Sequence, residues 1–361
     1  MLSNMSNKEI LFIVQLPKNV SPSQRFRCEL YEGLLYKNGF ATTTISFLDH
    51  KGYSIFYKQG FLFSKIIAVI KGSIRRKLLL FKLKRYNYIF IQREASPVGF
   101  PFFEWIASKL LNKKIIYDFD DAIWMPHISE QNKLAKAFKN SNKVKKICSW
   151  AYKVSCGNNY LCNYAKQFNA KVVYNPTCVD TDRRYNISAD QDTERLTIGW
   201  TGSFSTVHFL DIVQPALKKL QEKYDFDIKI ICNKKPLLDL KNIIYVEWTE
   251  ENEVAELATC QIGLMPLTDD EWNKGKCGFK LIQYLALGIP AVCSPVGVNT
   301  IIIEEGVNGF YSKTNEDWYR TIETLILDRS LRKKMGKAGR EKIVSSYSFV
   351  ANSNNFLSLF S

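Results

Sequence analysis

Two stretches of this chain carry side chains whose types and spacing could do chemistry. In the first, Lys114–Asp118 reads as a buried strand and runs into Asp120 and Asp121. Asp118, Asp120 and Asp121 then sit at or just beyond the strand's carboxyl end. Carboxylates so close repel one another and need cations or hydrogen bonds around them. Asp121 could serve as a helix N-cap and Asp118 as a loop hydrogen-bonder. In the second stretch, Asp269, Asp270 and Glu271 precede Lys274-Gly275-Lys276-Cys277-Gly278 and the helical pattern FKLIQYLAL. A glycine-containing loop opening a helix presents backbone N–H groups and the positive end of the dipole, which suits a diphosphate. Lys276 and Lys280 add full charge nearby. An ordinary turn with solvated lysines is the bland alternative for this loop taken alone.

Arginines follow two other apolar runs. Arg25 and Arg27 come after Ile10–Gln15, and Arg93 comes after Tyr88–Gln92. A guanidinium pairs phosphate bidentately, so Arg25 and Arg93 are candidate phosphate or acceptor contacts. Arg25 could equally pair with Glu29 one helical turn on, and Arg27 reads as structural.

The elements that must position these groups alternate between apolar β-rich runs and helical patterns, which predicts parallel sheets with crossover helices. Strands are expected at Ile10–Gln15, Thr42–Phe47, Tyr88–Gln92, Lys114–Asp118, Lys153–Cys156 and Lys171–Tyr174. A second set is expected at Thr197–Trp200, Asp227–Cys232, Ile243–Val246, Ile262–Pro266 and Ala291–Cys293. Between the sets, Asp180–Glu194 is polar and reads as an interdomain linker. In an open parallel sheet ligands bind beyond the carboxyl ends of the strands, where the candidate loops lie. Gly288 and Pro290 mark the end of the FKLIQYLAL helix.

A length of 361 residues suits two domains, and 46% hydrophobic residues can fill two cores. The net charge of +15 implies an anionic partner. No Asp or Glu occurs between Asp49 and Glu94, and residues 65–85 interleave cations with Ile, Leu and Phe. That segment reads either as an anionic membrane contact or as a solvated basic helix covering the first domain. No nucleic-acid module is visible, so nucleic acid is not an expected partner. Nine scattered cysteines without a CxxC pair indicate reduced, buried thiols and a cytoplasmic protein. No apolar run is long enough to span a bilayer. His127 and His208 lack metal-site spacing, and Ser294 lacks a nucleophile elbow.

The stretch LALGIPAVCSPVGVNTIIIEEGVNGF resembles the donor-binding region of family 4 retaining glycosyltransferases, which have the GT-B fold. SPSQRFR, KKIIYDFDDAIW, GNNYLCNYAKQFNAKVVYNPTCVD and IGWTGS extend the likeness over most of the chain. The resemblance implies an α/β, GT-B-like architecture of two Rossmann-like doubly wound domains facing a central cleft. Residues 1–185 would form the acceptor-side domain, with 345–361 returning to it, and 195–344 the nucleotide-sugar domain. It implies transfer of a sugar from a nucleotide-diphosphate sugar to a hydroxyl of a glycan or lipid-linked acceptor, with retention and with no required metal or cofactor. The protein would be cytoplasmic, peripheral on the inner face of the membrane if residues 65–85 touch lipid. Asp120 falls where many relatives carry a His near the anomeric carbon, with Asp121 beside it. Gly202, Ser203, Gly278, Phe279 and Lys280 fall in the donor site.

The chain departs from the family's pattern at three places. Gly275 stands where the family has a Glu that holds donor-sugar hydroxyls, so Asp270 or Glu271 is the expected substitute. Gln283 stands where a second Glu holds the ribose, and its carbonyl oxygen can still accept from a diol. The usual Arg and Lys after the first strand of the second domain are replaced by Gly199–Ser203, leaving Lys276, Lys280 and Arg25 to counter the diphosphate. A catalytically silent nucleotide-sugar binder or scaffold is the alternative these departures support. The Asp-x-Asp also resembles metal–diphosphate motifs and haloacid dehalogenase-like phosphatases, neither of which explains residues 263–310.

Overall fold

The computed structural model describes residues 8–56, 58, 60–125 and 142–361; His127 lies outside them. The chain divides into two compact units, Met1–Thr177 with Ser353–Ser361, and Cys178–Asn352.

The sheet of the first unit comprises β1 (Lys8–Val14), β2 (Phe40–Ser46), β3 (Tyr88–Gln92), β4 (Lys114–Phe119), β5 (Lys153–Cys156) and β6 (Val172–Tyr174). All pairings are parallel, in the order β2-β1-β3-β4-β5-β6. A parallel sheet covered by helices on both faces needs apolar side chains on both, which is why Ile10–Val14 and Ile89–Ile91 are uninterrupted apolar runs, all fully buried. The strand order reverses between β1 and β3, so the loops leaving those two strands diverge and open a crevice. Ser353–Ser361 close one flank of this unit: Phe356 stacks on Tyr31 at 3.7 Å, and Phe360 packs edge-on against Tyr88 at 5.6 Å.

The second unit repeats the scheme with β7 (Leu196–Gly202), β8 (Phe226–Cys232), β9 (Ile243–Glu247), β10 (Ile262–Met265), β11 (Ala291–Cys293) and β12 (Gly309–Tyr311). Its order is β12-β11-β10-β7-β8-β9, again all parallel, with the reversal between β10 and β7. All the strands expected from the sequence are present, three with the expected ends and the rest within two residues of them. β12 is an addition to the strands expected from the sequence.

The polar segment 180–194 is part of the second unit rather than a linker. Tyr185 is fully buried, and Arg184 pairs with Glu250 and Glu253, each at 3.0 Å. Gln191 is buried and accepts from Arg332 at 3.1 Å. Polarity marks exposure only while polar groups lack partners, and here the partners lie 66 to 141 residues away.

Candidate active site

In the second unit the candidate residues follow the two strands that flank the reversal. Gly202 and Ser203 leave β7, and 269–280 leave β10. A Cβ at Gly202 would lie 2.7 Å from the Trp200 ring, so glycine lets the chain pass close over that indole. The Ser203 hydroxyl lies 2.8 Å from that of Ser205, and the Phe204 N–H donates to Asn233 Oδ1 at 2.8 Å.

The loop after β10 is built by its own polar side chains. Asp270 caps the short helix Glu271–Lys274 by accepting from the Asn273 N–H at 2.9 Å, and it also accepts from Thr268 and the Asn273 amide. Burial pushes its carboxyl up, but these hydrogen bonds outweigh that and hold it below the usual range. Glu271 pairs with Lys274 at 2.6 Å. Of the two acids expected to replace the missing Glu at 275, Asp270 thus shapes the loop and Glu271 lies in an exposed ion pair.

Gly278 begins the helix Phe279–Ala286 in the left-handed region, at φ 67°. A Cβ there would come within 2.3 Å of Ile302 Cδ1, which would have to shift, and the backbone conformation itself favours glycine. The Lys280 ammonium lies 5.4 Å from the centroid of the Trp200 ring, bringing the β7 side and the helix start together. Tyr284 locks the helix onto the sheet: its hydroxyl accepts from the Thr201 N–H at 3.1 Å and donates to the Leu264 carbonyl at 3.3 Å. Gly263 makes room for it, since a Cβ there would meet the Tyr284 ring at 2.4 Å. Gln283 is buried, and its amide donates to the Tyr185 hydroxyl at 2.7 Å. The side chain expected to meet a ribose therefore already ties the helix to the segment after residue 178. Lys276 and Phe279 are half-buried at the helix start.

In the first unit, two arginines meet the three carboxylates. Arg27 is fully buried and engages Asp118 through two nitrogens, the Nε–Oδ2 distance being 2.8 Å. The same guanidinium donates to the Asn175 carbonyl at 2.6 Å, and the Ser155 hydroxyl donates to Asp118 at 2.6 Å. Burial pushes the Asp118 carboxyl up, against Arg27 and Ser155, which pull it down. Asp118 and Arg27 hence form the unit's internal polar clamp.

Arg93 serves Asp120 and Asp121. It donates to Asp120 Oδ1 from Nε at 3.2 Å and from Nη2 at 3.1 Å, and its Nη2 also pairs with Asp121. Its backbone is left-handed, at φ 65°, a conformation a non-glycine residue adopts at a cost. The Arg93 N–H donates to the Asp118 carbonyl at 2.7 Å, which fixes the loop after β3 against the end of β4. Burial raises the Asp120 carboxyl, but Arg93, Arg27 and a Ser23 hydrogen bond outweigh it and hold it below the carboxylate range. Burial likewise depresses the Arg93 guanidinium, while Asp120 and Asp121 raise it above its ordinary value. The result is an ionised Asp120 at the carboxyl end of β4, able to accept from a hydroxyl or to face a developing positive charge. Arg25 is buried, its guanidinium 5.0 Å from the Phe26 ring. Glu29 accepts from the Gln24 amide at 2.6 Å and from the Asn19 N–H at 3.1 Å.

The sequence brought Arg93, Asp120 and Asp121 into view separately, and the structure makes them one cluster. Tyr185, Tyr284 and Ser23 were missed. Each acts through one hydroxyl on a distant element, for which no local pattern exists. Among the described residues no group of three or more His, Cys, Asp or Glu is placed to hold a metal ion.

Residues 216–342, within the second unit, match the family described as Glycosyl transferases group 1. The Bacillus subtilis (strain 168) protein TuaH, named for glycosyl transfer in teichuronic acid biosynthesis, is 23% identical over 281 residues, 65% of this chain and 69% of its own length. Sucrose-phosphate synthase from Thermosynechococcus elongatus superposes with a TM-score of 0.72 at 12% identity, covering 98% of both chains. HepE of Anabaena, in complex with UDP-glucose, superposes with a TM-score of 0.69 at 14% identity, covering 97% of this chain and 98% of its own. The fold and these matches together support a glycosyltransferase of the GT-B fold, with its group 1 domain in the second unit.

Proposed function

We propose that this protein transfers a sugar from a nucleotide-diphosphate sugar to a hydroxyl of a glycan or lipid-linked acceptor in the cytoplasm, with retention at the anomeric carbon and without a required metal. The observation that carries the reading is the start of the helix Phe279–Ala286 at the strand-order reversal, with Gly278 left-handed and Lys280 over Trp200. The second unit is the donor side. Departure of the diphosphate builds negative charge, which the helix N-terminus, Lys276 and Lys280 would stabilise where it develops. Gly202, Ser203, Phe279 and Gln283 would line the same side, with Asp270 shaping the loop after β10 and Glu271 exposed on it.

The first unit is the acceptor side. Asp120, with Asp121 beside it, would orient the acceptor hydroxyl or face the oxocarbenium-like charge, and Arg25 and Arg93 would be cationic contacts for the acceptor or a phosphate. Arg93 pairs with both carboxylates and so places a protein cation at this pair. Retention rests on the resemblance to family 4 alone.

The test is saturation-transfer NMR against UDP, GDP, ADP and dTDP sugars, repeated with Lys280→Ala; the UDP-glucose bound by HepE makes a UDP sugar the first donor to try. Selective binding of one class, weakened by the substitution, supports the donor site. No binding at millimolar donor to folded protein overturns it. Gly275 and the Gln283–Tyr185 hydrogen bond favour a second reading, donor binding without turnover; release of free nucleotide with a candidate acceptor present would exclude it.

A further inference from the structure

The helix Leu62–Leu80 is amphipathic the wrong way round for a helix that covers a domain. It meets the first unit through Gly72, Arg76 and Leu79, which are its buried residues. A Cβ at Gly72 would lie 2.7 Å from the Phe47 ring, so the backbone comes close there. Arg76 donates to the carbonyls of Ala95, Ile45 and Val14 at 2.8, 3.1 and 2.7 Å. Arg75 reaches the Ser46 and Phe47 carbonyls at 3.1 and 3.3 Å. The seat of the helix is thus largely polar, made by backbone acceptors and two arginines.

Leu79 apart, its large apolar side chains are mostly turned elsewhere. Phe63, Ile67, Ile70, Ile74 and Leu78, with Phe81 just past the end, recur at steps of three and four residues, and so share one face. At 100° per residue that face lies roughly opposite Gly72, Arg76 and Leu79. Phe63 is 76% exposed, Ile70 52%, Ile74 50%, Leu78 60% and Phe81 85%. At about 1.5 Å per residue the stripe runs for roughly 27 Å, long and straight rather than a pocket. Isolated exposed apolar residues are ordinary; a continuous stripe marks an interaction surface.

The charges around the stripe choose its occupant. Lys71, Lys77, Lys82 and Lys84 are exposed and form no ion pair among the described residues. No acid occurs between Asp49 and Glu94. A second copy meeting this face would set these lysines against their own equivalents. An anionic bilayer accepts both features at once: apolar side chains enter at the headgroup–acyl boundary, and lysines reach headgroup phosphates on flexible stems.

We propose that the helix Leu62–Leu80 lies flat on an anionic phospholipid bilayer, with the stripe from Phe63 to Phe81 inserted and Lys71, Lys77, Lys82 and Lys84 on headgroups. Arg75 and Arg76 are the rivets that hold the helix to the unit while its other face is in lipid. No helix among the described residues is long and apolar enough to cross the membrane, so contact is made along the surface. The proposal does not depend on the donor or on turnover, and its failure would leave the sugar-transfer reading untouched.

The experiment is vesicle flotation of the full chain with phosphatidylcholine alone and with phosphatidylglycerol added. Binding is expected only with phosphatidylglycerol, and it should weaken as salt rises from about 0.01 M to about 1 M, where the Debye length shrinks from roughly 30 Å to 3 Å. Ile70→Glu with Ile74→Glu, and separately Lys71→Glu with Lys77→Glu, should each lower partitioning about tenfold or more, with unchanged circular dichroism and donor binding. Indifference of the wild type to lipid charge, or wild-type partitioning by either variant, overturns the proposal. So does a wild-type dimer that Ile70→Glu with Ile74→Glu converts to monomer, because the stripe would then belong to a second copy.

Discussion

Arg93 Nη2 lies 3.1 Å from Asp120 Oδ1, and the same nitrogen pairs with Asp121, on a residue whose backbone is left-handed. One guanidinium, held by its own N–H on the Asp118 carbonyl, therefore keeps Asp120 ionised at the carboxyl end of β4 while it also pairs with Asp121.

Arg93→Ala should make the protein more acid-sensitive. The Asp120 carboxyl is depressed in the folded state, so it contributes stability above its unfolded value of about 3.9, and that contribution is lost as pH falls through the folded value. Without Arg93, burial still raises the carboxyl and less opposes it. The acid-unfolding midpoint should move to higher pH, and an unchanged midpoint would refute the role given to Arg93.

Asp120→Asn keeps the shape and removes the charge. Turnover should fall by about a hundredfold, in the range for a misdirected reacting group. Donor affinity measured by titration should stay within about twofold, because a carboxylate that faces a developing charge acts in the transition state rather than on the bound donor.

Gly278→Ala forces a Cβ onto a left-handed backbone and into Ile302. A cost of about 1–3 kcal/mol is expected from the backbone alone, with more from the contact. Thermal unfolding should show the loss, and donor binding should fall with it.

Lys280→Ala should separate binding from stability. Removing the ammonium from the Trp200 face costs about 0.5–1 kcal/mol, while donor affinity should fall by about tenfold or more as a full charge leaves the diphosphate site. Equal donor affinity in the two proteins would move the diphosphate elsewhere.

Arg27→Met leaves Asp118 buried with its cation gone. Breaking one side of a buried pair costs about 3–5 kcal/mol, so urea unfolding should show a large loss. Arg27→Met with Asp118→Leu should recover much of it, as a double-mutant cycle would reveal.

The legible part of the fold lay in contiguous patterns. The β10 strand, its glycine–lysine loop and the helix after it follow one another in sequence, so composition and period suffice to place Gly278 and Lys280. The β12 strand was not read, and 180–194 was misread because its polarity is satisfied from afar, by Glu253 for Arg184 and Arg332 for Gln191. Gln283 shows the same limit in the site itself. Its helix and register were readable, yet its partner Tyr185 lies 98 residues away.

By itself the sequence determined the alternation of strands and helices, the loops at strand ends, and the interleaving of cations with apolar residues from 65 to 85. Those follow from local propensity and period, which a linear chain displays directly. Only the tertiary structure decided that Arg27 clamps Asp118 while Arg93 serves Asp120 and Asp121, and that the Leu62–Leu80 helix seats its arginines and exposes its isoleucines. Those depend on strand order and on which backbone carbonyls remain to be satisfied, and neither exists until the sheet has formed.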